Sequence, residues 1–176
     1  MRWTLISPEE AKCLLERLGA SKRLIKHADL VLEAGQEILL LLEELNVEID
    51  EPLALTGMAL HDVGKIAHPN ELRESGNLHE SAGQKLLLEQ GVSEKIARFC
   101  ISHAQYQEMS VSLEELLVAL ADKLWKGKRE PELELRVIDE VAARLQKDRW
   151  AVFEQLDTGF EAVAASGDRR LARSTL

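Results

Sequence analysis

Residues 21–45 read SKRLIKHADLVLEAGQEILLLLEEL. Leu24, Val31, Ile38, Leu42 and Leu45 recur at spacings of three, four and seven, which lines one face of an α-helix. Ser21 stands where an N-cap oxygen is needed, so the spacing predicts one long helix from Ser21 to about Leu45. The same grammar repeats outward from this stretch. On the N-terminal side, Ser7-Pro8-Glu9-Glu10 reads as a capping box with Pro at the first helical position, starting a helix that stops near Gly19. On the C-terminal side, Glu51-Pro52 opens a helix carrying Leu53, Leu55, Met58 and Leu60 up to His61-Asp62, with Gly64 at its end. Residues 67–76 read as a loop around His68-Pro69-Asn70. Asn77-Leu78-His79-Glu80 reads as a second capping box, opening a helix that ends at Gly91, and Ser93 as the cap of a helix through His103. Ser112-Leu113-Glu114-Glu115 is a third box, beginning a helix that carries Asp122 and stops near Gly127. Pro131 then admits a helix to about Gln146, and a last helix covers about Arg149 to Ala165, with a break available at Thr158-Gly159. Residues 167–176 are polar and read as a frayed end. No window alternates as a strand does. The expectation is an all-α single domain over residues 1–176, a bundle of about seven or eight helices.

Composition agrees. Apolar residues make up 45% of the 176, enough for a core, and the four prolines leave room for long helices. The net charge of −9 is the reverse of what a sequence-independent nucleic-acid binder shows, so no nucleic-acid partner is expected. Cys13 and Cys100 both fall within apolar helical patterns and read as buried free thiols. Met1-Arg2-Trp3-Thr4 has no signal-peptide core, and the greasiest stretch, Leu39 to Leu42, is far too short to span a bilayer. A cytoplasmic protein with no membrane partner is the expectation.

The chemistry lies in the five histidines. His27 sits mid-helix beside the apolar stripe, where a histidine taken alone is a core or boundary residue. His61-Asp62 puts an imidazole and a carboxylate side by side at a helix end. Adjacent helical positions point about 100° apart, so both reach one point only near a terminus. Read in order, His27, His61-Asp62, His79, His103 and Asp122 come from five successive predicted helices.

That order resembles the HD superfamily of metal-dependent phosphohydrolases, in its longer form with two histidines between the His-Asp pair and the last Asp. The local motifs agree: His61-Asp62-Val63-Gly64-Lys65, Leu78-His79-Glu80-Ser81-Ala82-Gly83 and Ala121-Asp122-Lys123-Leu124. The likeness covers roughly residues 22–129 and leaves the C-terminal helices, 131–165, outside it.

The resemblance implies a ligand set. His27, His61, Asp62 and Asp122 would hold a first metal, and Asp62 would bridge to a second held by His79 and His103. Mixed nitrogen and oxygen donors suit one or two divalent ions among Mn, Fe, Co, Ni and Zn. His79, in the first turn of its helix, is expected to stay neutral against the positive dipole end. The implied reaction is in-line attack of a metal-bound hydroxide on a small phosphorylated metabolite, a nucleotide in particular. Asp62 and Lys65 are the expected catalytic residues, with Lys65 holding a phosphate; its alternative is a cation at a helix C-terminus. Two other functions share the resemblance: a di-iron oxygenase on the same ligands, and a catalytically silent sensor domain, whose usual signature is a missing ligand. The Gly-Tyr-Pro segment of the cyclic-dinucleotide-cleaving members is absent after His103, where the chain reads Ala104-Gln105-Tyr106-Gln107. His68 reads as a loop residue or a substrate contact. Lys123, Lys126, Lys128 and Arg129 read as helix-end cations or an anion-attracting cluster, and Trp125 as core packing or a stacking surface.

Overall fold

The long apolar stripe becomes the axis of the fold. In a computed structural model that describes residues 6–175, α2 (Lys22–Glu44) buries Leu24, Val31, Ile38 and Leu42, and Ser21 accepts a hydrogen bond from Leu24 N. Met1-Arg2-Trp3-Thr4, read for a leader, lies outside the described residues. Around α2 pack α3 (Glu51–Leu60), α7 (Leu113–Leu124), α9 (Trp150–Ala165) and α10 (Gly167–Ser174). The remaining helices are α1 (Pro8–Arg17), α4 (Leu78–Glu89), α5 (Glu94–Ala97), α6 (Phe99–Gln105) and α8 (Pro131–Arg144). Eight of these have eight residues or more, and no strand occurs among the described residues, as an all-α bundle of seven or eight helices requires. Two 3₁₀ turns, Val63–Ile66 and Pro69–Leu72, follow α3. The buried apolar residues form one connected cluster from Ile6 to Val163. No described helix is long and apolar enough to cross a membrane.

The caps are realised unequally. At α7 the box is complete, with Ser112 Oγ accepting from Glu115 N and Glu115 accepting from Ser112 N. At α1 only half forms, Ser7 Oγ accepting from Glu10 N at 3.1 Å. At α4 the expected box is absent. Asn77 makes no side-chain cap, and Glu80 turns away to accept from Gln105. Glu71, from the 3₁₀ turn inside the expected loop, caps α4 instead, accepting from Leu78 N and His79 N. Ser93 likewise makes no side-chain cap.

Other expectations need correction. The helix through His103 is interrupted at Arg98, whose side chain is pinned to Glu115 and to the Ser110 carbonyl. α9 runs unbroken through Thr158-Gly159, because Gly159 serves close packing: a Cβ there would lie 2.5 Å from Leu41 Cδ1. Cys13 is exposed, since Ala11, Leu14 and Leu15 take the buried face of α1; Cys100 is buried as expected. The end read as frayed folds as α10. Its Arg170 is fully buried, donating to Val163 O, Trp125 O and Glu37, while Arg173 pairs with Glu33 at 2.7 Å.

Candidate metal centre

His61 is the C-cap of α3, and the chain turns there into the 3₁₀ segment, so His61 and Asp62 converge although they are neighbours. Gly64 permits the next step. A Cβ at this position would lie 1.8 Å from His79 O, so only glycine lets the first turn of α4 rest against the turn that follows Asp62. His79 is thereby brought to Asp62. His103 arrives from α6, His27 from α2 and Asp122 from the last turn of α7.

All six expected ligands meet in two groups that share Asp62. Its Oδ2 lies 2.8 Å from His27 Nε2 and 3.3 Å from His61 Nε2, and Asp122 Oδ1 is 3.2 Å from the same His61 nitrogen. Its Oδ1 faces the other way, 3.3 Å from His79 Nε2 and 3.5 Å from His103 Nε2. Within each group, ligand atoms lie within 4.8 Å of one another, with Asp62, His61, His79 and His103 buried.

Three rings are oriented from behind. His61 Nδ1 donates to Met58 O at 2.9 Å and His103 Nδ1 to Phe99 O at 3.0 Å. A carbonyl only accepts, so each Nδ1 carries a proton, and when the ring is neutral the lone pair of Nε2 turns into the site. His79 Nδ1 donates to Glu71 at 2.6 Å, a carboxylate–histidine pair of the kind that supports metal ligands. The lone pairs therefore face carboxylate oxygens, and Asp62 Oδ1 is buried without a hydrogen bond. Such a set is relieved only by protons or by cations between donor atoms, and the nitrogen and oxygen donors fit divalent transition metals.

Without a cation, protons fill this role. Burial works against protonation of His61, but the carboxylates of Asp62 and Asp122 outweigh it and push the ring up to about 10. Burial also opposes protonation of His79, yet Asp62 and Glu71 raise it, so the acids override the helix dipole expected to keep it neutral. His103 goes down to about 4, through burial and the neighbouring His61. Burial opposes ionisation of Asp62 and Asp122, but the facing histidines hold both below the usual carboxylate range.

Lys65 reaches inward, its Nζ 3.0 Å from Asp62 Oδ2, and lines the cleft over the ligands rather than standing free at a helix end. His68 does not line that cleft. The basic run divides: Lys123 and Lys126 line the cleft, while Lys128 pairs with Glu130 and Arg129 with Glu134 and Asp157. Trp125 is buried, its ring edge-to-face with His27 at 5.0 Å, as core packing requires. Sequence reasoning missed Glu71, the residue behind His79. A glutamate eight positions before a histidine in a turn-rich segment carries no signal that it will cap the helix and hold the ring.

The sequence pattern of the HD domain family matches residues 22–126, the span that holds all six ligands. The chain belongs to the HD domain family. This is a superfamily of metal-dependent phosphohydrolases, and the His/Asp cluster here is of the kind that binds divalent metal. An uncharacterized protein of Methanocaldococcus jannaschii is 28% identical over a 154-residue alignment covering 79% of this chain and 84% of the relative. No solved structure gives a significant match. Helices α8 to α10 lie beyond the HD match.

Proposed function

We propose that this HD protein is a dinuclear metal-dependent phosphohydrolase acting in the cytoplasm on a small phosphorylated metabolite, a nucleotide in particular, with neither nucleic acid nor membrane as partner. The observation that carries the reading is the division of Asp62, with Oδ2 toward His27 and His61 and Oδ1 toward His79 and His103. A carboxylate can serve two ions because each oxygen can serve one. When bound, such ions supply Lewis acidity at phosphoryl oxygens and make a water nucleophilic near neutral pH. The side chains supply the rest. Asp62 fixes the separation of the two ligand groups. Glu71 holds His79 in register. Lys65, now paired with Asp62, stands where a charge-assisted bond to a phosphoryl oxygen can replace that pair. The cleft of about 470 Å³ suits a small molecule.

The competing functions draw less support. Cations around the cleft favour an anionic substrate over an oxygenase reaction that needs none, and no expected ligand is missing, as a silent sensor would lead one to expect. The test is a screen of phosphorylated metabolites with added Mn or Co, using Asp62→Ala as the blank. Phosphate release by the wild type alone is the expected result. Oxygen consumption by iron-loaded protein with no phosphate release would transfer the site to the oxygenases. Lys65→Ala is expected to keep its metals and lose about 2 kcal/mol of transition-state stabilisation, roughly thirtyfold in kcat/KM. Unchanged kinetics would remove Lys65 from the reaction.

A further inference from the structure

The cleft is charged in two zones. Its floor holds Asp62 and Asp122, while its wall carries Arg23, Arg73, Lys123 and Lys126 beside three glutamates, Glu71 bonded to His79, Glu80 bonded to Gln105, and Glu74. None of the four cations has an acid partner among the described residues, whereas Lys128 and Arg129 of the same basic run, which do not line the cleft, are paired. In a chain of net charge −9, acids to pair with are plentiful, so unpaired cations gathered in one cleft mark an anion's place.

Arg23 is the more telling. The first turn of α2 holds no acid, although Asp and Glu are the residues the positive end of a helix favours. Lys22 and Arg23 stand there instead, so side chains and helix dipole act in the same direction. Arg23 precedes His27 by four residues, and Lys126 follows Asp122 by four, through Trp125, which keeps helical dihedrals (φ −56°, ψ −33°). Residues four apart share a helix face, so Arg23 stands one turn of α2 from His27, while Lys126 lies in the turn that closes α7, and both line the cleft that holds the ligands. Desolvation at the wall and the ammonium groups of Lys123, Lys128 and Lys65 hold Lys126 below its ordinary value, against the pull of Asp122. An arriving anion relieves that crowding.

We propose that Arg23 and Lys126 form an outer phosphate subsite, so that the substrate carries two or more linked phosphates. This rests on the hydrolase reading only for the phosphate over Asp62; the outer subsite is a matter of binding. Trp125 is too buried, and too closely engaged with His27, to offer a ring face to a base. Apart from the ligand histidines, it is the only aromatic lining the cleft among the described residues. The substrate is sorted by its phosphates, and the organic group beyond them is read weakly.

Calorimetry on the full metal-free chain at low salt, with inorganic tripolyphosphate and orthophosphate as probes, tests this. Tripolyphosphate is expected to bind the wild type at least about tenfold more tightly than orthophosphate, a gap of roughly 1.4 kcal/mol. The R23Q/K126Q double variant is expected to lose that preference, and K128Q, which removes the same kind of charge from outside the cleft, to keep it. Both changes lie on exposed side chains, and unaltered melting curves establish that the variants are folded. Equal binding by R23Q/K126Q and wild type, or an equal loss in K128Q, would overturn the subsite. The two readings fail separately. Tripolyphosphate binding that depends on Arg23 and Lys126, with no turnover of any phosphate, removes the hydrolase and leaves the subsite. Turnover with binding untouched by R23Q/K126Q does the opposite.

Discussion

Asp62 Oδ1 is buried, accepts no hydrogen bond and faces two imidazole nitrogens, while Oδ2 takes His27 and Lys65. Protons and metal compete for these atoms, and this gives the pH dependence two opposite signs. The folded-state value of His61 is raised from 6.5 to about 10, so its contribution to stability is fully present below about 6.5 and is lost as pH rises through about 10. The metal-free protein is therefore expected to melt progressively lower from pH 6.5 to 10. Metal needs the same nitrogen unprotonated, so affinity is expected to rise across that window, with proton release on binding. Paired melting curves and calorimetry check both signs; parallel trends would contradict the competition. Glu71 bears on the His79 side alone. On the dinuclear reading, Glu71→Ala is expected to cost about 10–100-fold in affinity for one metal and spare the other, measured by metal titration. The clustering of the six candidate ligands was legible because their order and local motifs stand in the sequence, whereas Glu71 acts through a turn whose shape the sequence does not display.

At the scale of elements, the site depends on the approach of α4 to the turn after Asp62. Gly64→Ala would push a methyl group into the His79 carbonyl, a backbone atom that cannot swing aside. Overpacking costs about 1–3 kcal/mol, which for a chain of this size lowers Tm by roughly 2–4 °C per kcal/mol. On the dinuclear reading, binding of a metal by His79 and His103 is expected to weaken as α4 shifts. A melt equal to wild type would show that α4 moves freely. α10 is held differently. Arg170→Ala removes the side-chain donor to Trp125 O, one of two donors to Val163 O and the partner of Glu37, and is expected to cost about 2–3 kcal/mol by chemical denaturation. An unchanged midpoint would make α10 an appendage. The long amphipathic helices were readable from spacing, because burial of one face sets their period. α10 was not, because it docks through arginines, and a polar stretch that pairs with Glu33 and Glu37 has the composition of one that frays. α4 starts where the sequence places it, after Asn77, but its cap differs for a related reason: Asn77 and Glu80 have the right spacing for a box, yet Glu71 takes the free amides and Glu80 is taken by Gln105.

Over the whole molecule, charge is distributed against the average. The chain is acidic, yet among the described residues the cleft over the His/Asp cluster carries Arg23, Arg73, Lys123 and Lys126 without acid partners, so on the proposed reading a phosphorylated substrate is repelled by most of the surface and drawn to one place. The candidate ligands come from α2, α3 and the turn after it, α4, α6 and α7, and α8 to α10 pack beyond the HD match, with α9 and α10 against α2. On the proposed reading Asp62 joins two metal sites. Elemental analysis of wild type, His79→Ala and His103→Ala after saturation with Mn tests this. Two ions per chain are expected in the wild type and one in each variant, the survivor held by His27, His61, Asp62 and Asp122. One ion in the saturated wild type, with the same count in both variants, would contradict it and leave a mononuclear centre.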